Sequence, residues 1–182
     1  FSEVRKAVKP FLQSLLTSAS ANIQAEAMKM SQVFDLTPSS EVLALLVAQE
    51  NAHENIRIAA IHAMADEQGR IADKNIVDTA INSNSAKLRV VGLKYLARTE
   101  ANELGIILAF LKSGKLIEKQ QAVRSLAKIK STHEISKLVQ KMLEGKLDPG
   151  IHLEVTEAAI SLLPDDGKVK LLIAKRSNIM DP

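Results

Sequence analysis

The sequence contains no cysteine and no tryptophan. Without cysteine, the chain cannot form a disulfide, use a catalytic thiolate, bind zinc through thiolates or attach haem through a Cys-x-x-Cys-His motif. Aromatic residues are also scarce, at 3% of the chain, and Tyr95 is the single tyrosine. Small and medium aliphatic residues therefore fill the apolar positions, which suits close packing of one helix on another.

Long hydrophobic runs are missing as well. Runs such as Val42 to Ala48 are far shorter than the roughly 20 residues that span a bilayer, so we expect no transmembrane helix. The chain begins at Phe1 rather than Met, and charged residues interrupt its first apolar positions. We therefore expect no signal peptide and interpret the chain as a fragment or a processed product.

The composition is that of a folded globular protein. Hydrophobic residues make up 46% of the chain and charged residues 25%, which argues against disorder. A length of 182 residues allows one apolar core without disulfides or metals, so we expect a single domain over 1–182.

A repeat runs through the whole sequence. Small or β-branched residues recur within similar apolar segments at Ala27, Ala60, Gly92, Ala122 and Val155, with spacings of 33, 32, 30 and 33 residues. A small residue that recurs at one helical position allows another helix to approach closely. Such a period is typical of stacked helix pairs.

The apolar spacing between these anchors is helical, and turn residues separate the segments. We predict helices over 2–17, 22–35, 40–49, 54–66, 73–82, 85–98, 100–112, 116–130, 132–144, 149–162 and 165–175. Ser40, Ser85 and Thr132 are predicted to cap the helices that follow them. Gly114 and Gly145 each follow an apolar run and are predicted to end a helix in the left-handed conformation.

The predicted fold is an all-α, right-handed α–α superhelix, a HEAT- or armadillo-like solenoid. It comprises about five antiparallel helix pairs, near 2–35, 40–66, 73–98, 100–130 and 132–162, and a terminal helix over 165–175. The signature residues of tetratricopeptide and ankyrin repeats are missing. A basic residue near the start of several second helices (Arg57, Arg89, Lys119) resembles the short HEAT repeat, which implies that it bonds a neighbouring inter-helix turn.

The second half resembles a larger family. Residues 114–127 (GKLIEKQQAVRSLA) and 143–159 (LEGKLDPGIHLEVTEAA) are similar to the HEAT segment of large bacterial dehydrogenase-like, haem-binding multidomain proteins of planctomycetes and verrucomicrobia. There, a propeller resembling sugar dehydrogenases precedes the segment and a cytochrome c domain follows it. The resemblance implies a spacer or docking segment in a redox protein that is extracytoplasmic or periplasmic; otherwise a cytoplasmic location is expected.

No motif for catalysis, metal binding or cofactor binding stands out. The four histidines lie in different predicted repeats, and the seven glycines form no phosphate-binding loop. We therefore expect a non-catalytic scaffold without a cofactor, which binds a protein partner or the neighbouring domains of its parent chain. Arg89, Lys119 and Arg124 are the candidate partner-binding residues; a structural role is the alternative for each of them, and for Arg89 it is a contact between repeats.

Nucleic-acid binding is the alternative. Residues 36–84 carry three basic and seven acidic groups, whereas 112–146 carry nine basic and three acidic groups, which suits an anionic partner for the second half. The lack of tryptophan and the single tyrosine leave little to stack on an extruded base. A third possibility, a pigment lyase, lacks an identifiable acid, base or nucleophile.

Overall fold

The structure, a computed structural model, describes residues 2–98 and 103–180. Within these ranges the chain forms eleven α-helices and one short 3-10 helix, and no strand. The α-helices are α1 Ser2–Leu16, α2 Ala21–Val33, α3 Ser40–Ala48, α4 Glu54–Ala63, α5 Lys74–Ile81, α6 Ala86–Leu96, α7 Leu104–Ser113, α8 Leu116–Lys128, α9 Thr132–Leu143, α10 His152–Leu162 and α11 Gly167–Met180. The predicted all-α class is thus confirmed for these residues, and none of their helices is both long and apolar enough to cross a membrane.

The helix boundaries follow the predicted ones with a few differences. The seventh helix was expected from residue 100; residues 99–102 lie outside the described part, and α7 begins at Leu104. A 3-10 helix, Pro149–Ile151, occupies the expected start of α10, and α11 continues to Met180 rather than ending at 175.

The fourth helix is shorter than predicted because Asp66 starts a turn. Its carboxylate accepts a hydrogen bond from the Arg70 backbone N–H at 2.7 Å, and its own N–H donates to the Arg70 carbonyl at 2.9 Å. Gly69 supplies the left-handed conformation that closes the turn, with φ of 70°. A side chain that bonds nearby backbone groups competes with the helix, so α4 ends at Ala63.

The structure confirms one predicted helix cap and corrects two. Ser85 caps α6, because its hydroxyl accepts from the Leu88 N–H at 3.2 Å. Ser39, not Ser40, caps α3 by accepting from the Val42 N–H. Thr132 is the first residue inside α9, and the residue before it makes no side-chain cap hydrogen bond.

The two glycines predicted to end helices have different roles. Gly145 follows α9 with φ of 67°, as predicted. Gly114 has φ of −71°, so the prediction of a left-handed residue was wrong there. Lack of space requires glycine at this position instead, because a Cβ atom on Gly114 would lie 2.5 Å from the Phe110 carbonyl oxygen.

The chain divides into two compact units, Phe1–Gly92 and Leu93–Pro182. In the first unit α1 packs on α2 and α3 packs on α4. First helices that follow one another in the array are also in contact, α1 with α3 and α3 with α5. The second helices α2 and α4 contact each other as well. Each pair therefore shares a surface with the next.

The second unit repeats this arrangement. Its pairs are α7 with α8 and α9 with α10, and α11 packs on both α9 and α10. The second helices α8 and α10 are in direct contact, and the 3-10 helix packs between the same two elements.

The five anchor residues of the sequence repeat are all buried. Ala27, Ala60, Ala122 and Val155 are each at most 1% exposed, and Gly92 is also in the core. Gly92 leaves no room for a side chain, because an added Cβ would lie 2.7 Å from Ile81 Cγ1 and 2.8 Å from the Ile81 backbone nitrogen. The helix α6 thus lies against the end of α5 at a distance that only glycine allows.

Side chains of successive second helices bond across the pairs. In the first unit, the Glu54 carboxylate on α4 accepts from the Ser85 hydroxyl and from Lys87 Nζ, the latter at 2.9 Å. In the second unit, Gln120 Nε2 on α8 donates to the Gly150 carbonyl before α10 at 2.9 Å. The partners Glu54 and Ser85 are 31 residues apart, and Gln120 and Gly150 are 30 apart, close to the period of the sequence repeat.

Tyr95 lies on α6 with 4% of its surface exposed. Two cations flank its ring, with Lys94 Nζ 5.5 Å and Arg98 Cζ 6.0 Å from the ring centre. Burial raises the pKa of the phenol, and the positive charge of Arg98 opposes this rise only in part.

Candidate docking groove

The basic residues near the starts of the second helices bond to turns and helix ends. Arg57 is 7% exposed and donates from Nε to the Val47 carbonyl at 2.9 Å. Val47 belongs to the last turn of α3, where carbonyls have no partner inside the helix. Arg89 donates to the Ser83 carbonyl in the turn after α5, at 2.6 Å. Both arginines therefore bond the reversal within their own helix pair, whereas the predicted structural role was a contact between repeats.

Arg124 joins α8 to α10. It donates to Glu154 Oε1 at 2.9 Å, and Glu154 has a side chain that is 3% exposed although Arg124 itself is 56% exposed. The other carboxylate oxygen, Glu154 Oε2, is buried without a hydrogen-bond partner among the described residues. Arg124 thus forms the ion pair with the buried Glu154 carboxylate, and removing Arg124 would leave the negative charge of Glu154 buried without this partner.

The three candidate partner-binding residues are divided between the two units. Arg89 belongs to the first unit and bonds within it. Lys119 and Arg124 share α8, but five residues of helix turn their side chains about 140° apart. Lys119 lines a groove, next to the loop that precedes α10.

This groove lies in the second unit and has a volume of about 420 Å³. Its walls come from α7 and α9, and the start of α8 and the 146–151 segment close one end. Five lysines line it: Lys112, Lys119, Lys137, Lys141 and Lys146. We call it the lysine groove. Its floor is apolar, formed by Leu108, Leu111, Leu138, Leu147 and Ile151.

Helical spacing places these residues together. On α9, Glu134, Lys137, Leu138 and Lys141 follow the spacing of one helix face, and Leu108, Leu111 and Lys112 do the same on α7. Both helices pack on α8, so their two faces border the same space. Not every lysine of the basic region 112–146 lines the groove. Lys128, for example, is exposed and is not among the lining residues.

Three of the groove lysines have acidic partners. Lys137 Nζ lies 2.9 Å from Glu134, Lys146 Nζ 2.9 Å from Glu144, and Lys119 Nζ 3.4 Å from Asp148.

Hydrogen bonds hold two of these carboxylates in the ionised form. The Gly150 backbone N–H, and then Lys119, lower the pKa of Asp148, while Gln140, and then Lys146, lower that of Glu144. These contacts shape the loop at the closed end of the groove.

Lys112 and Lys141 are different. Neither has a carboxylate within 4.0 Å among the described residues, and both are exposed. One stands on α7 and the other on α9, on opposite walls of the lysine groove. The uncompensated positive charge of the groove therefore lies on its two rims, above an apolar floor.

The histidines do not form a common site. His53 caps α4 by accepting from the Asn55 N–H, and His152 bonds the Leu147 carbonyl at 3.2 Å. His62 and His133 are exposed at the end of α4 and the start of α9. Across the described ranges, no three side chains of histidine, cysteine, aspartate or glutamate come together in a way that would hold a metal ion.

Searches of protein-family models, curated proteins and solved structures found no significant match to this chain. The resemblance to bacterial dehydrogenase-like proteins therefore stays a prediction from the sequence.

Proposed function

We propose that this chain is a non-catalytic, HEAT-like scaffold that binds a protein partner through the lysine groove. The observation that carries the proposal is the pairing of two uncompensated lysines, Lys112 and Lys141, with an apolar floor between them. A concave surface of this kind offers both charge attraction and burial of apolar area, the two terms that specific protein binding uses.

A right-handed superhelix of helix pairs is part of the proposal. Within each unit, first helices contact first helices and second helices contact second helices. Hydrogen bonds between successive second helices recur at 29 to 31 residues. Both features are typical of arrays in which every repeat contacts only its neighbours. In such arrays the grooves between repeats are the usual binding surfaces.

The carboxyl groups with shifted pKa values take part in caps, turns and ion pairs. The pKa values of five carboxyl groups are lowered rather than raised: Glu41, Glu54, Asp66, Glu144 and Asp148. A general acid needs a raised pKa, so these groups suit structural ion pairs and caps. A place between the domains of a larger redox protein rests on the sequence resemblance alone.

The test compares two double variants of equal net charge. Lys112→Glu with Lys141→Glu reverses the rims of the groove. Lys9→Glu with Lys128→Glu reverses two exposed lysines outside it, which also have no recorded ion pair. After circular dichroism shows that both variants fold, cross-linking and mass spectrometry identify the proteins that each one captures.

We expect the wild type and the control variant to capture the same proteins, and the groove variant to lose them. Capture that is equal for all three proteins would overturn the proposal. Binding to duplex DNA at about 0.15 M salt that depends on the same two lysines would instead support the nucleic-acid alternative.

A further inference from the structure

The floor of the lysine groove limits what the groove can bind. Leu108, Leu111 and Leu147 are only half-buried, so their side chains still meet solvent in the free protein. A ligand that carries only charge, such as an inorganic anion or a nucleic-acid backbone, would leave this apolar surface unused. An occupant with its own apolar side chains would bury it, and burial of apolar surface favours binding.

The type of charged side chain in the groove also favours a protein ligand over a nucleic acid. Five lysines and two carboxylates, Glu134 and Asp148, line the groove, and its lining includes no arginine and no aromatic ring. Arginine forks suit the two-point recognition of phosphates, and aromatic rings suit the stacking of bases. Flexible lysines are point charges that adapt to carboxylates at several positions. The rims therefore fit the side chains of aspartate and glutamate better than a nucleic acid.

The length of the groove sets the size of the occupant. The α9 wall runs from Glu134 to Lys141, seven residues that rise about 10 Å along the helix axis. A bound helix of about two turns covers this distance, and it would present apolar side chains at i, i+3 or i+4, and i+7 on one face.

We infer that the lysine groove binds an acidic amphipathic helix of a partner protein. Its apolar face lies on the half-buried Leu108, Leu111 and Leu147, and its flanking carboxylates contact Lys112 on one rim and Lys141 on the other. The inference rests on the proposed function and narrows the partner to one kind of segment.

The experiment uses the full chain and designed peptides of about 14 residues. The peptides of the first set carry three leucines on one helix face, either at i, i+3 and i+7 or at i, i+4 and i+7. Glutamates lie on both sides of this leucine face. A second set replaces the leucines with serine and keeps the charge. A third replaces the glutamates with glutamine and keeps the apolar face. Fluorescence anisotropy at about 0.15 M salt measures their dissociation constants.

We expect the first set to bind and the other two sets to bind at least tenfold more weakly. Lys112→Glu with Lys141→Glu is expected to weaken the first set at least tenfold, whereas Lys9→Glu with Lys128→Glu leaves it within about twofold. Affinity for the first set should also fall as salt rises, since exposed charges are screened.

Three results would overturn the inference. Equal binding of the serine set would make the groove a plain anion site, and an unchanged affinity in the groove variant would place the peptide elsewhere. Absence of binding by every peptide of the first set would exclude the acidic helix. If proteins are nevertheless captured in a way that depends on Lys112 and Lys141, the scaffold function stands and only the identity of the segment fails.

Discussion

Gly92 shows how tightly a single residue can be constrained by packing. Replacing it with alanine is expected to lower the free energy of unfolding by about 1–3 kcal/mol, because the new methyl group would overlap Ile81 Cγ1 and its backbone nitrogen. In an open helix the same change would instead stabilise by up to about 1 kcal/mol. Urea unfolding followed by circular dichroism measures the difference.

Gly105 is the matched control, since an added Cβ there meets nothing within 4 Å and the residue is exposed in α7. Gly105→Ala should therefore be neutral or stabilising. A Gly92→Ala protein as stable as the wild type would mean that α5 and α6 can separate at little cost, which would contradict the close packing described above.

Individual residues were predicted well where one physical cause acts alone. The anchors such as Ala60 and Ala122 were found from their spacing, because burial against a neighbouring helix selects small residues at a fixed period. Gly114 was predicted wrongly because glycine after an apolar run satisfies two different needs, a positive φ or an absence of space. Sequence alone does not distinguish these needs.

Between elements, the contact of Arg124 with Glu154 couples α8 to α10. Arg124→Ala is expected to cost roughly 1–3 kcal/mol, because it removes a charged hydrogen bond and leaves a buried carboxylate without its cation. Arg124→Met combined with Glu154→Leu should recover most of this loss, because the buried charge is then gone. A double-mutant cycle by chemical unfolding gives the coupling energy.

Lys128→Ala, on the exposed end of the same helix, controls for the loss of one surface cation and should change stability by less than about 0.5 kcal/mol. A coupling energy near zero would show that Glu154 is solvated in solution. Arg124 would then be free to contact a partner, as the sequence first suggested.

The helices were predicted more completely than the groove between them. Turn residues and helical spacing fix where each helix begins and ends, and these signals are local. The lysine groove depends on which faces of α7 and α9 border the same space, and on which lysines already have carboxylates. The basic region 112–146 contains all five groove lysines, but nothing in its order separates Lys112 and Lys141 from Lys128 or Lys130.

At the scale of the whole molecule, a repeat array predicts that a destabilising substitution loosens only its own helix pair and the neighbouring pairs. If each pair contacts only its neighbours, Gly92→Ala should speed amide exchange in α3 to α6 and leave α9 and α10 unchanged. Hydrogen–deuterium exchange with mass spectrometry resolves the two regions. An equal increase along the chain would contradict the array and indicate one cooperative domain.

The all-α class followed from the sequence because every apolar period is helical and no segment alternates. The angle between successive pairs, which decides whether they form the proposed superhelix, depends on many small side-chain contacts. Residues such as Gln120 and Glu154 contribute to it across a pair boundary, and neither stood out in the sequence.

Tyr95 is the single tyrosine in a chain without tryptophan, and this makes the protein's ultraviolet fluorescence specific to one position. Because the chain has no tryptophan and one tyrosine, its tyrosine fluorescence comes from one phenol ring, which lies on α6 within about 6 Å of Lys94 and Arg98. Emission from an unlabelled sample therefore reports on a single known position rather than on an average over the fold. A change in that signal during unfolding, or when a partner binds, can be assigned to α6 without introducing a probe.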